Sequence, residues 1–243
     1  DIEPLWVPRH RLPAALDYSV HCDTAFKDAK AMNTGAANVI QLWGHDRESG
    51  RVYYRDGMWD RSWSSRDFYT QLVNLLKAMW LERNFPFVVT CDAELGGTKG
   101  AFEMALFDGC RRSNIPCPPV FPLLRSSHMK DARIRHSLLY WKEGRVRLVR
   151  GAGAVDQLTY EVTHVGYAAR RDMADAAADV FHPEVYAVAP GVGAGKQPSA
   201  AARPFDAELW SHDRPLHDDE IDLLYKSVED QDFVGFLQDR YTH

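Results

Sequence analysis

Apolar and polar positions alternate through Ala15–Asp23 (ALDYSVHCD), a β-rich stretch that closes on an acid and predicts a strand. Two more strands are predicted at 37–44 (ANVIQLWG) and 51–59 (RVYYRDGMW). The HDRESG between them carries hairpin chemistry, so the three read as an antiparallel meander. The pattern then changes period. From Ser64 to Asn84, Phe68, Leu72, Leu75, Leu76 and Met79 share one helical face, with Ser64 or Ser65 as the cap. PFVVTCD (86–92) is a continuous apolar run ending in an acid, the mark of a parallel strand buried on both sides. A Gly-rich turn and helix (96–114), a short strand (118–124) and a helix ended by Gly144 (127–144) follow. RVRLVRG and QLTYEVTHVG (157–166) read as a hairpin or as a strand plus loop. RRDMADAAADVF (170–181) reads as an Ala-rich helix that starts with an acid. Three strands, then alternating helices and strands, define a mixed α/β layer architecture.

The remaining chain differs in composition. VAPGVGAGKQPSAAARP (188–204) is nearly uncharged and rich in Ala, Gly and Pro, so it is expected to be a linker or loop. Beyond it, Ile221, Leu224, Val228, Val234, Leu237 and Tyr241 keep helical spacing in an acidic tail. The opening DIEPLWVPRHRLP reads as a linker, as in a domain taken from a longer protein, and lacks signal-peptide character. The expected organisation is therefore an extension (1–16), a main domain (17–186), a linker (187–204) and a helical tail (205–243).

Chain length, 243 residues with 45% hydrophobic, allows one sizeable core. No apolar run has the length of a membrane span. Cys22, Cys91, Cys110 and Cys117 form no C-x-x-C pair and are expected as buried thiols in a reducing compartment, neither disulfides nor a zinc site. The net charge of -5 hides an asymmetry. Residues 111–150 hold ten Lys/Arg against two acids, whereas 201–243 hold four against eleven. An acidic protein with such a basic stretch can still present a phosphate-binding face.

Candidate chemistry sits in the acids. A carboxylate at the end of a buried strand costs several kcal/mol unless it is paired or binds a cation, and Asp23 and Asp92 both end such strands. In open α/β sheets that edge is where sites form. Asp172 and Asp175 stand three apart on a predicted helix, hence on one face. Carboxylates gathered there would repel unless hard cations neutralise them, and oxygen-only donors favour Mg²⁺ or Mn²⁺. Each acid also has a structural alternative: Asp23 and Asp92 as turn caps, Asp172 as a helix N-cap.

HCDTAFKD (21–28), VVTCDAELGG (88–97), SSHMKDARIR…KEGRVRLV (126–149) and RRDMADAAADVF resemble, in order and spacing, the motifs of the C-terminal nuclease domain of tailed-bacteriophage terminase large subunits, over roughly residues 17–185. The resemblance implies an RNase H-like α/β fold, a mixed central sheet flanked by helices, here with a C-terminal helical tail. It implies a two-metal endonuclease that cuts double-stranded DNA with little sequence preference during viral genome packaging, in the host-cell cytoplasm. It assigns Mg²⁺ or Mn²⁺ binding and catalysis to Asp23, Asp92 and Asp172, with Asp175 as the accessory acid. Glu94 competes with Asp92 for the second position, and Arg171 stands where the family often has an acid. Lys27, Lys99, Arg125, Lys130 and Arg133 are candidates for DNA-backbone contacts. Implied partners are the terminase ATPase domain, the small terminase subunit and the portal protein.

LHDDEIDLL (216–224) matches the third motif better as a string. It lies beyond the linker, in the acidic tail and far from Asp92, so Asp172 is preferred. GVGAGKQ (191–197) lacks the G-x-x-x-x-G-K-[ST] spacing, which leaves no ATPase motif in this chain. Trp59 and Trp63 are expected to pack rather than touch DNA. The rival readings are another RNase H-like enzyme (an integrase, a resolvase or an RNase H) and a non-catalytic docking module of a packaging assembly.

Overall fold

The computed structural model describes residues 5–25, 37–92, 98–123, 130–165, 167–168, 171–182 and 185, and the structural statements below concern these. Its centre is a seven-stranded mixed sheet. In chain order the strands are β1 (Trp6–Val7), β2 (Asp17–Asp23), β3 (Asn38–Asp46), β4 (Arg51–Asp60), β5 (Val88–Asp92), β6 (Val120–Leu123) and β7 (Val146–Val149), and their spatial order is β1-β7-β4-β3-β2-β5-β6. The meander β2–β3–β4 is antiparallel, as its pattern predicts, and all other pairings are parallel.

The β3–β4 turn follows from local chemistry. Asp46 Oδ1 accepts the backbone N–H of Glu48 and Ser49, and Gly50 takes a positive φ of 66° where an L side chain would be strained. Farther along β4 the register slips by one residue: Leu42 faces Asp56 but Trp43 faces Tyr54, which makes Arg55 the extra residue of a bulge. Its guanidinium lies over the Tyr18 ring and pairs with Glu82.

Helices cover both faces. α1 (Ser65–Leu81) and α2 (Thr98–Arg112) lie on one; α3 (Lys130–Lys142), α4 (Val155–Thr163) and α5 (Asp172–Ala178) lie on the other, and the chain leaves α5 through a 3-10 turn, Asp179–Phe181. Ser64 caps α1 in a reciprocal capping box with Asp67. Phe68, Leu72, Leu76 and Met79 of α1 pack with Val20, Cys22, Ile40, Leu42, Val89 and Cys91. Val39, Trp43, Tyr54 and Leu148 point the other way, into a second apolar cluster with α3, α4 and α5.

Two segments depart from the sequence reading. Residues 155–163 are helix, not hairpin, strand or loop. Val155, Leu158 and Val162 are buried at helical spacing, and this tertiary burial overrides the β preference of Thr, Tyr and Val. Within the N-terminal stretch, Trp6–Val7 joins the sheet edge parallel to β7, with Leu5 buried in the core. All four cysteines are free, three of them buried and Cys117 partly so. Trp63 packs against Phe68, and Trp59 lies against the second core cluster with Arg61 over its ring. Among the described residues, no helix is long and apolar enough to cross a membrane. The expected linker and acidic tail lie outside the described residues.

Candidate active site at the ends of β2 and β5

Strand alternation separates two sets of side chains on β2 and β5. Val20, Cys22, Val89 and Cys91 enter the apolar cluster under α1 and α2. Ser19, His21 and Asp23, with Thr90 and Asp92, therefore face α3 and α5. The β2–β5 ladder pairs Ser19 with Val88, Val20 with Val89 and His21 with Thr90, and the same offset carried two residues on sets Asp23 level with Asp92. Asp23 and Asp92 are the last residues of their strands, and both are half-buried.

α5 brings the other two acids. All seven of its residues are buried, and four of them are alanines. So small a helix can lie close upon β2 and β3 while packing sideways on α3 and α4. Asp172 and Asp175 are 6% and 4% exposed, so each charge must be compensated. Asp172 Oδ2 accepts the Ala37 backbone N–H at 2.9 Å, and Oδ1 accepts from Lys130 Nζ at 3.1 Å. Lys130 Nζ also lies 3.5 Å from Asp175 Oδ2, while Arg133 donates to Asp175 Oδ1 at 2.8 Å. Burial pulls the Lys130 ammonium down, but the charges of Asp175, Asp172 and Asp23 together outweigh it, and the net shift is upward. One cation on α3 thus feels the acids of β2 and α5 together.

Asp172 is the first residue of α5, not its N-cap; Arg171 holds that position and makes no side-chain cap bond. The first turn is satisfied from outside. Glu161 on α4, 2% exposed, accepts the Ala174 N–H at 3.0 Å and also Gln157 Nε2 at 2.7 Å. Burial raises the Glu161 carboxyl, against these hydrogen bonds. Glu161 was missed in the sequence reading; an acid three residues after Leu158, on the apolar stripe of α4, is the signal that finds it. Gln41 Nε2 donates to the Met173 carbonyl at 2.8 Å, which fixes α5 to β3 from beneath.

Four of the expected site residues are thus brought to one sheet edge: Asp23, Asp92, Asp172 and Asp175. Lys130 and Arg133 reach the same place as partners of the acids, and Arg133 is itself buried. Arg171 pairs with Asp131 at 2.7 Å. Glu94, Lys27, Arg125 and the side chain of Lys99 lie outside the described residues. The donor set is all carboxylate oxygen, which suits a hard divalent cation, and its buried members already require positive charge. Among the described residues, no three His, Cys, Asp or Glu side chains are gathered closely enough to hold an ion. A cleft of about 390 Å³ opens on the opposite face of the sheet, between α1 and α2, lined by Arg66, Tyr69, Asn74, Asp108 and Arg112 among others.

No protein-family model and no curated protein matches the sequence. The fold is RNase H-like: a mixed sheet whose leading meander is continued by parallel strands on the far side of β2, with helices on both faces. Among solved structures, the chain is similar to terminase nuclease domains. The nuclease domain of the phage P22 large terminase has a TM-score of 0.44 at 11% identity, over 67% of this chain and 74% of that one. The human cytomegalovirus terminase nuclease domain, soaked with Mn, has a TM-score of 0.45 at 9% identity, over 72% and 87%. The yeast mitochondrial Holliday junction resolvase has a TM-score of 0.39 at 13% identity, over 66% and 74%.

Proposed function

We propose that the chain is a metal-dependent nuclease that cuts double-stranded DNA, with Asp23, Asp92 and Asp172 as the ligands of Mg²⁺ or Mn²⁺. The observation that carries this reading is the convergence of acids from β2 and α5 on a single cationic group at the sheet edge where β5 also ends in an acid. Divalent ions held by these carboxylates would supply an activated water and charge neutralisation for phosphodiester hydrolysis. The protein's own part is positional. The Ala37 N–H fixes one oxygen of Asp172, Lys130 reaches the other, and Arg133 holds Asp175 beside it. Lys130 and Arg133 act here as charge partners of the acids, and Lys130, the less buried of the two, remains within reach of a phosphate.

Lys27, Lys99 and Arg125 are proposed to grip the DNA backbone, which positions a duplex without reading its sequence. Cutting is accordingly expected to show little sequence preference. Genome packaging is the proposed setting, with a separate ATPase domain, a small subunit and a portal as partners. Glu94 remains the alternative to Asp92.

The test is plasmid nicking in Mg²⁺ or Mn²⁺. Asp23→Ala and Asp172→Ala are each expected to abolish it while the circular dichroism spectrum stays native; full activity in both rejects the site. One observation favours a second reading, a non-catalytic docking module: Asp172 and Asp175 already have protein cations as partners. Calorimetric titration with Mn²⁺ separates the two, because only the nuclease binds the ion through Asp23.

A further inference from the structure

Beside the acids runs a buried chain of hydrogen bonds that the proposed chemistry does not use. His21 Nδ1 lies 2.9 Å from Thr90 Oγ1, and His21 Nε2 lies 2.8 Å from Ser19 Oγ. Ser19 Oγ lies 2.7 Å from His45 Nε2. Ser19, His21 and Thr90 are fully buried, and His45 nearly so. The order is directional. A serine hydroxyl has one proton, so with both rings neutral one imidazole N–H donates to Ser19 while Ser19 donates to the other ring. Each neutral ring then donates with one nitrogen and accepts with the other, so whichever direction Ser19 adopts fixes the His21–Thr90 bond too.

Its position gives the chain meaning. The β2–β5 backbone ladder runs from Ser19↔Val88 to His21↔Thr90. His21 and Thr90 are its last pair, and the side-chain bond between them joins the two strands at that rung. Two residues on, roughly 7 Å along the strands, come Asp23 and Asp92 on the same face. Beyond that rung Asp23 is paired with Val39 of β3 and Asp92 with Leu123 of β6, so the His21–Thr90 bond is the side-chain tie between β2 and β5 nearest to the two acids in the β2–β5 ladder.

We propose that His21 and Thr90 are positioning residues that set the separation of Asp23 and Asp92, with Ser19 and His45 orienting the His21 ring. The inference rests on the metal-binding reading above. A crossbar one pleat below the ligands sets the spacing of their oxygens, and partners that orient metal ligands commonly change affinity by about 10- to 100-fold when removed.

The experiment is Mn²⁺ titration of the whole chain by calorimetry, with a thermal melt of each variant. Thr90→Val keeps the shape and removes the hydroxyl. It is expected to weaken Mn²⁺ binding about tenfold while the fold survives, and Thr90→Ser, which restores the hydroxyl, to return to within about twofold of wild type. Ser19→Ala, which frees the far nitrogen of the ring, is expected to lose about threefold and gives the same reading should Val not be tolerated at position 90. A purely structural role would lower the melting temperature and leave the affinity of the folded protein alone. Wild-type affinity in folded Thr90→Val and Ser19→Ala overturns the inference while the metal site stands. Wild type that binds no Mn²⁺ overturns both.

Discussion

The two sides of β2 and β5 belong to the same strands and differ in kind. Toward α1 and α2, the residues of β2, β3 and β5 are Val20, Cys22, Ile40, Leu42, Val89 and Cys91, an unbroken apolar surface. Toward α3 and α5, the intervening residues of β2 and β5 are Ser19, His21, Asp23, Thr90 and Asp92, with Val88 the apolar exception, joined by the Gln41 amide of β3. Each buried polar group on that face needs a partner, and a lost partner costs about 1–3 kcal/mol. Apolar residues of similar volume would have packed there without that requirement. The contrast separates labour within β2 and β5: their α1-side residues pack an apolar core, while their other side carries a polar strip beside the second apolar cluster of Val39, Trp43, Tyr54 and Leu148.

This contrast can be broken from either side. The largest effect is expected from Asp172→Ala, which should remove metal-dependent nicking entirely, read on plasmid DNA. Leu76→Ala, on the fully buried apolar face, should cost about 2–5 kcal/mol in urea denaturation yet leave Mn²⁺ affinity of the folded protein unchanged. A coupled loss of affinity would show that the faces do not act separately. Acid comes next. Burial, helped by the Arg47 charge, lowers His45 to about 4 from 6.5. A lowered histidine binds its proton more weakly folded than unfolded, so its stabilising contribution is full above pH 6.5 and declines as pH falls toward 4. By linkage the loss between pH 7 and pH 4 is about 3 kcal/mol, and denaturation midpoints of wild type and His45→Gln should converge at the acid end. Ala177→Leu, at the tightly packed α5, should cost about 1–3 kcal/mol through overpacking and reduce nicking as α5 shifts. Smallest is Ser64→Ala, worth about 1 kcal/mol of capping at α1 and no activity.

What the sequence makes legible depends on how local the cause is. β2, β5 and α1 were readable because alternation, a closed apolar run, and a capping serine (Ser64 or Ser65) ahead of helical apolar spacing each lie within a short stretch of chain. Asp23 and Asp92 stood out as charges at the ends of buried strands. α4 was not legible: Thr159, Tyr160, Val162 and Thr163 carry strand preference, and packing against α5 and β4 decides for helix. Glu161 as the cap of α5 depends on a contact made in space between two helices. The His21–Thr90 and Ser19–His45 bonds join residues 69 and 26 positions apart, which no local pattern announces. The pairing of Lys130 with Asp172 and Asp175 was equally hidden, because a basic residue in a basic stretch looks like a phosphate contact until its acids are located.

The bond from Ala37 to Asp172 and that from Gln41 to Met173 span 135 and 132 residues of chain. During synthesis, Asp23 and Asp92 leave the ribosome long before the segment that carries Asp172. A nascent chain carrying the sheet but not yet α5 has two of its acids without the third, and loop closure over such distances is slow compared with local folding. The order of residues along the chain therefore means that the acids of the proposed site come together only after the chain has been made through α5.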